Sequence, residues 1–282
     1  MFRVLSAEPL APQVVRLVVS APYVARKHQA GHFVIVRLAE GGERIPLTVA
    51  ESDARLGTIT LIVQSVGKST EELGALRSGD EIQDVLGPLG QPTSIELYGA
   101  VACVAGGVGA AVLLPVARAL ARAGNDVYTI LGARTRDLVI LERELAECSR
   151  QLVVTTDDGS RGRKGLVTEP LQDLLNRVPG VPLVFAVGPL PMMRAVAELT
   201  RPMDIFTYVS LNPIMVDGTG MCGGCRVTAD GRTQFACVDG PDFDAHGLDF
   251  DELMRRGQTY VRQECESRRR HDARAGKPGK TA

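Results

Sequence analysis

Residues 217–225 read Asp-Gly-Thr-Gly-Met-Cys-Gly-Gly-Cys, and another cysteine follows at Cys237. A Cys-x4-Cys-x2-Cys run with a distant fourth cysteine is the spacing that wraps a plant-type [2Fe–2S] cluster. The run matches this spacing except at its first position, which is Asp217. Asp217, Cys222, Cys225 and Cys237 would still supply four ligands, three thiolates and one carboxylate. Glycines between them let the backbone curl so that the side chains converge. The chemistry such a site carries is single-electron transfer. Other readings stay open. A zinc knuckle normally pairs two Cys-x2-Cys hairpins, and only Cys237 is left to join this one. A redox dithiol needs a thioredoxin-like setting that the surroundings do not offer. A disulfide fits poorly with six cysteines scattered through 282 residues without a signal peptide, a pattern that reads as cytosolic. Asp217-Gly218 is also an ordinary turn pair.

Upstream lie segments suited to phosphates. Gly106-Gly107-Val108-Gly109 sits between an apolar run and an Ala-rich helical stretch. There glycines would let a pyrophosphate approach the backbone at a helix N-terminus, although a tight strand–helix turn gives the same pattern. Gly132-Ala-Arg134 and Gly188-Pro189 end two further apolar runs. Arg44-Ile-Pro-Leu-Thr48 puts a cation and a hydroxyl on a strand, and Gly67-Lys68-Ser69-Thr70 precedes a helix. Ser69 or Thr70 as a simple helix cap, and Arg44 as a solvated arginine, are the plain alternatives.

These residues need two kinds of scaffold. Up to about Glu96 the chain has short β-branched runs (Val14–Val19, His32–Leu38, Ile45–Ala50, Thr58–Val63) punctuated by Gly, Pro and Asp, which predicts an antiparallel β-barrel with one helix near Thr70–Leu76. From Tyr98 strands and helices alternate, which predicts a Rossmann-like parallel sheet with helices on both faces. Asn212-Pro213 leaves that sheet for a small C-terminal cysteine lobe. The expected division is 1–96, 97–211 and 212–262. The Arg- and Lys-rich residues 263–282 are expected to form a disordered tail.

Composition narrows the partners. A net charge of −1 and no Trp argue against nucleic acid, and no apolar run has transmembrane length. Cys103 reads as a buried mid-strand thiol and Cys148 as a helix-end one; Cys265 has no assignable role. His32, Lys68 and Tyr208 fit packing or solvation as well as cofactor contact.

Arg-x-Pro-x-Thr, Gly-Lys-Ser-Thr and Gly-Gly-Val-Gly together resemble the ferredoxin–NADP reductase superfamily. With the cysteine lobe, residues 1–262 resemble the electron-transfer subunits of dihydroorotate dehydrogenase and of NADH-dependent reduced ferredoxin:NADP oxidoreductase (the sulfide dehydrogenase beta-subunit type). Gly106–Ala111 followed by Pro115, Thr156–Ser160, Gly162–Gly165, Asp249–Met254 and Asp217 itself are similar to the second type; dihydroorotate-type subunits normally carry four cysteines. The resemblance implies an oxidoreductase subunit with FAD on the barrel. Arg44 would hold a flavin phosphate, with Pro46 and Leu47 beside it. Thr48 would hydrogen-bond near flavin N5 as the catalytic contact, and Gly67, Lys68, Ser69 and Thr70 would cradle the pyrophosphate. Pro46 and Leu47 stand near the Tyr of the Arg-x-Tyr-Ser form, so aromatic stacking by that residue is unavailable. NAD(H) or NADP(H) would lie over Gly106, Gly107, Val108 and Gly109, lined by Arg134, Asp157 and Gly188. Arg134 and Arg136 suit a 2′-phosphate, whereas Asp157 and Asp158 would repel one. The implied partner is a larger FAD and iron–sulfur subunit similar to the glutamate synthase small subunit, through which ferredoxin would exchange electrons. The alternatives are a dihydroorotate-oxidising partner or a free-standing ferredoxin reductase.

Overall fold

Strand formation begins at Phe2, and the structure, a computed structural model, describes residues 1–274. The N-terminal elements are β1 (Phe2–Ala11), β2 (Val14–Ser20), α1 (Pro22–Lys27), β3 (Phe33–Arg37), β4 (Arg44–Asp53), β5 (Thr58–Gln64), α2 (Lys68–Gly74), β6 (Glu81–Ile82) and β7 (Asp84–Leu89). The strands form one antiparallel sheet in the order β6-β1-β2-β5-β4-β3-β7. Its two edges are consecutive in the chain, separated by Gln83 alone, so the sheet curls into a nearly closed barrel. Gln83 N–H donates to the Leu38 carbonyl at 3.2 Å, continuing the β3–β7 ladder by one residue into this connection. Leu17, Val34, Val36, Val49, Ile59 and Leu61 fill the interior, and α2 adds Leu73. These β-branched and aliphatic residues alternate with outward-facing ones, as strands with one buried face require.

The second sheet begins with β8 (Ala100–Gly106), followed by α3 (Gly109–Arg122), β9 (Asp126–Ala133), α4 (Glu142–Glu147), β10 (Gln151–Thr156), β11 (Arg163–Lys164), α5 (Thr168–Arg177), β12 (Leu183–Val187), α6 (Leu190–Thr200) and β13 (Phe206–Ser210). Strands β10-β9-β8-β12-β13 run parallel, with every residue of β12 buried. Continuous apolar runs are what a sheet covered on both faces demands. Leu113, Leu114 and Leu120 of α3 cover one face together with Val14 and Ile62 of the barrel. Leu171 of α5, Met193 and Val196 of α6 cover the other. The strand order reverses direction between β8 and β12, which makes the gap beyond their carboxyl ends the switch point of the sheet.

The cysteine lobe carries the hairpin β14 (Arg226–Ala229) and β15 (Arg232–Phe235). The chain then returns as β16 (Asp242–Asp244), which adds an antiparallel edge to β13. The lobe is therefore sewn into the sheet that the sequence expects to end before it. Helices α7 (Phe250–Gly257) and α8 (Val261–Arg274) follow. α8 corrects the expectation of a disordered tail from 263. Arg268 pairs with Glu71 of α2 at 3.3 Å, which gives this strongly charged helix something to fold against, and Arg270 pairs with Glu266 within α8 at 2.7 Å, which supports the helix itself. Residues 275–282, also assigned to that tail, lie outside the described residues.

Candidate redox and dinucleotide site

Within the cysteine loop, Asp217 and Cys222 form one pair and Cys225 and Cys237 another. Cys222 Sγ lies 3.3 Å from Asp217 Oδ1, and Cys225 Sγ lies 3.2 Å from Cys237 Sγ. Among the described residues no three His, Cys, Asp or Glu side chains are arranged to hold a single metal ion. Two pairs are the donor arrangement that a two-iron centre uses. The chemistry of the donors agrees. Cys225 and Cys237 are buried, and burial together with the neighbouring Cys225 thiol pushes Cys237 up to about 12. Such thiols become thiolates only when a cationic centre is bound. For Asp217, burial acts to raise the pKa, but hydrogen bonds from Cys222 and Thr219 outweigh it and hold the carboxyl at about 2. It also accepts from the Met221 and Cys222 N–H groups at 2.9 and 3.0 Å, so it shapes the loop as well as facing Cys222.

Loop shape depends on glycine where it meets the barrel. Gly218 has φ +73°, and a Cβ there would lie 2.6 Å from Leu89 Cδ1 and 2.9 Å from Ile35 Cγ1. The backbone beside Asp217 is thus pressed onto β7 and β3. Two arginines outside the sequence expectations complete the loop. Arg226 donates to the Gly223 carbonyl at 3.1 Å, and Arg256 of α7 donates to the Gly224 carbonyl at 2.9 Å. Their signal was weak, since a lone arginine near a glycine run looks like any surface arginine.

On the barrel, Pro46 lies opposite Ile35 and Thr48 opposite Phe33, in the β3–β4 register. Strand alternation puts Arg44, Pro46 and Thr48 on one face. Phe33 and Ile35 share a single core with Met215, Cys225 and Cys237, so this face looks toward the cysteine loop. Leu47 alternates to the other side and packs against the barrel interior, so a ligand on the outer face meets its backbone only. α2 starts at Lys68, with Gly67 as its N-cap, rather than with Ser69 or Thr70 as the cap. The Thr70 hydroxyl accepts from the Val66 and Gly67 N–H groups, each at 3.0 Å, and fixes this turn from inside. Ser69 Oγ hydrogen-bonds to Glu43, a neighbour the sequence reading did not anticipate. Among the described residues Arg44 and Lys68 form no ion pair, and a Cβ at Gly67 would meet nothing within 4 Å. An open backbone flanked by two unpaired cations fits a phosphate-bearing ligand.

At the switch point, a Cβ on Gly109 would lie 2.5 Å from the Val187 carbonyl oxygen, and one on Gly106 would lie 2.5 Å from Met192 Sδ. Those two glycines let the turns after β8 and β12 touch, and bring Gly188 against Gly106. Gly107 differs: it has φ +57° and faces open space. Half-buried Val108 precedes α3 as its N-cap. At the ends of β9 and β10, the Asp157 N–H donates to the Ala133 carbonyl at 3.1 Å and the Asp158 N–H to Arg134 at 3.3 Å. Exposed Arg134 and Asp157 therefore stand side by side, while Asp158 is held by Ser160 at 2.6 Å. The concave backbone of Gly107 and this charged rim fit a dinucleotide.

Comparison with known proteins gives this geometry a lineage. The chain is 49% identical over 255 residues to the dihydroorotate dehydrogenase B (NAD(+)) electron transfer subunit homolog of Thermotoga maritima, covering 90% of each. The chain belongs to the dihydroorotate dehydrogenase B electron-transfer subunit family. The electron transfer subunit of that enzyme from Bacillus caldolyticus is 35% identical over 253 residues, covering 86% of this chain and 95% of its own. Residues 212–249 match the iron-sulfur cluster binding domain of dihydroorotate dehydrogenase B. A solved chain of NADH-dependent reduced ferredoxin-NADP oxidoreductase, studied for flavin-based electron bifurcation, superposes with a TM-score of 0.90 at 47% identity, covering 96% of this chain and 97% of that one. The family fold, a flavin-reductase barrel, a parallel α/β sheet and an iron–sulfur lobe, is the one described above. The family's members are oxidoreductase subunits, and this chain is built as one. Among the described residues no helix is long and apolar enough to cross a membrane.

Proposed function

We propose that the chain is the electron-transfer subunit of a cytoplasmic oxidoreductase of the NADH-dependent reduced ferredoxin:NADP type. Residues 1–96 would hold FAD, 97–211 NAD(H) or NADP(H), and 212–262 a [2Fe–2S] cluster. The observation that carries this reading is the seat of Gly218 on Ile35, the residue opposite Pro46 in the register that also pairs Phe33 with Thr48. The reading is supported because the loop that carries Asp217 packs directly against the barrel face that bears Arg44 and Thr48.

When bound, the flavin supplies hydride exchange with a nicotinamide and single-electron exchange with the cluster. The chain's own residues bind and orient. Arg44 and Lys68 neutralise phosphate charge, and the Thr48 hydroxyl offers a hydrogen bond on the outer face. Gly107 opens the backbone at the helix end, while Arg134 and Asp157 meet the adenosine end of the nicotinamide cofactor. Asp217 with Cys222 would hold one iron, and Cys225 with Cys237 the other. Cys222 is exposed, with Met221, Val216 and Val238 exposed around it, an apolar rim suited to docking a larger FAD and iron–sulfur subunit. All six cysteines are free thiols in this structure, in keeping with a reducing compartment.

Anaerobic affinity purification from the native host tests the proposal. A stoichiometric companion with NADPH-dependent ferredoxin reduction, together with FAD and two irons per copy of this chain, is the expected result. A dihydroorotate-oxidising companion would move the assignment to the dihydroorotate dehydrogenase role. Absence of FAD from the purified chain would overturn it.

A further inference from the structure

α8 docks at one place on the barrel. It lies across α2, where Arg268 pairs with Glu71 and donates to the Val66 carbonyl at 3.2 Å. His271 sits 3.9 Å from Glu71 and 3.7 Å from Glu72. Between the two helices runs an open groove of about 840 Å³, lined by Lys68 and Glu72 from α2 and by Arg262, Glu266, Arg270 and His271 from α8. That size falls in the range of roughly 300–1,000 Å³ found for small-molecule sites. No apolar side chain lines it. A smaller cavity of about 200 Å³, bounded by Glu43, Ile45 and Ser69, shares Lys68 and Glu72 with the groove. Lys68 and Glu72 stand between the two spaces as a shared wall.

Charge decides what the groove can hold. Arg270 already neutralises Glu266, and His271 faces Glu72. Lys68 and Arg262 have no ion-pair partner among the described residues, and Lys68, Arg262 and Arg270 set against Glu72 and Glu266 leave the groove with one cation in excess. A polar, anionic ligand meets these terms, and an apolar one does not.

We propose that α8 completes the dinucleotide site, with Arg262 and Lys68 gripping the ADP end of the FAD assigned to the barrel. This rests on the flavin reading above. Arg268 acts as a positioning residue, because its pair with Glu71 holds α8 over α2.

The test uses the full-length chain, stripped of flavin and titrated with FAD, FMN and ADP, as wild type, Arg262→Ala and Arg268→Glu. Flavin fluorescence reports the first two ligands and calorimetry the third, while iron–sulfur absorbance checks the fold. Loss of a charge-assisted phosphate contact should weaken FAD and ADP binding about tenfold in both variants, with FMN affinity unchanged. Wild-type affinity for FAD and ADP in both variants would overturn the role of α8 and leave the flavin reading standing. Parallel loss of FMN binding would also overturn it, because the effect would then lie outside the ADP end. A wild-type chain that binds neither flavin would remove both readings.

Discussion

Thr93 Oγ1 donates to Asp242 Oδ2 at 2.5 Å, joining the segment that leaves the barrel to the edge strand that returns from the cysteine lobe. Asp242 is half-buried, but its other carboxylate oxygen is shielded from solvent without a partner, and desolvation pushes the carboxyl up to about 6 against hydrogen bonds from Thr93 and Ser210. A folded-state pKa above the unfolded value means that the protonated form is favoured by folding. The associated stability is complete below about pH 4 and is lost as pH rises through about 6. Asp242→Asn should abolish that loss. Wild type should fall relative to the variant by on the order of 1–3 kcal/mol between pH 4 and 7.5. Urea unfolding at both pH values checks this, and parallel pH profiles would contradict it.

Gly218→Val should dislodge the cysteine loop. The position combines left-handed backbone with side chains already occupying the Cβ site. A destabilisation of about 1–3 kcal/mol is expected, with iron content well below that of wild type while flavin content is kept. Iron analysis and flavin absorbance on the same sample separate the two, and full iron loading would refute the prediction.

Asp217→Cys replaces a hard oxygen donor by a soft thiolate. Iron binding should persist, and the cluster midpoint potential should shift. Redox titration followed by electron paramagnetic resonance measures this. An unchanged midpoint would assign Asp217 to its loop hydrogen bonds alone.

Asp157→Ala removes a carboxylate beside Arg134 at the expected adenosine end. Preference should move toward the 2′-phosphorylated cofactor, by about fivefold or more in the NADPH to NADH ratio of kcat/KM. A ratio equal to that of wild type would place the adenosine elsewhere.

Much of the site was legible because its information is local. The spacing of Asp217, Cys222, Cys225 and Cys237 encodes a loop, and the glycines at 106–109 encode a strand–helix turn, whatever surrounds them. The sequence reading set Leu47 beside the flavin with Pro46, whereas its side chain packs toward the barrel interior, away from the face of Arg44, Pro46 and Thr48. Other features depend on residues distant in sequence. Arg268 and His271 look like part of a solvated basic tail until Glu71 and Glu72 are placed opposite them. Asp242 follows Gly240-Pro241 and reads as a turn residue, and only Thr93 and Ser210 reveal it as half-buried. Thr70 sits three residues beyond the true cap, because its hydroxyl reaches back into the turn from within the first helical turn. Arg256 reaches Gly224 from a separate helix, a contact no motif announces.

The space that a side chain at position 218 would need is taken by a strand of the neighbouring barrel. A redox lobe moulded in this way is no detachable cartridge swinging on a tether. Transplanting it into another reductase would mean carrying β3 and β7 with it. A change in either surface, at Gly218 or at Leu89 and Ile35, therefore has to be matched by the other.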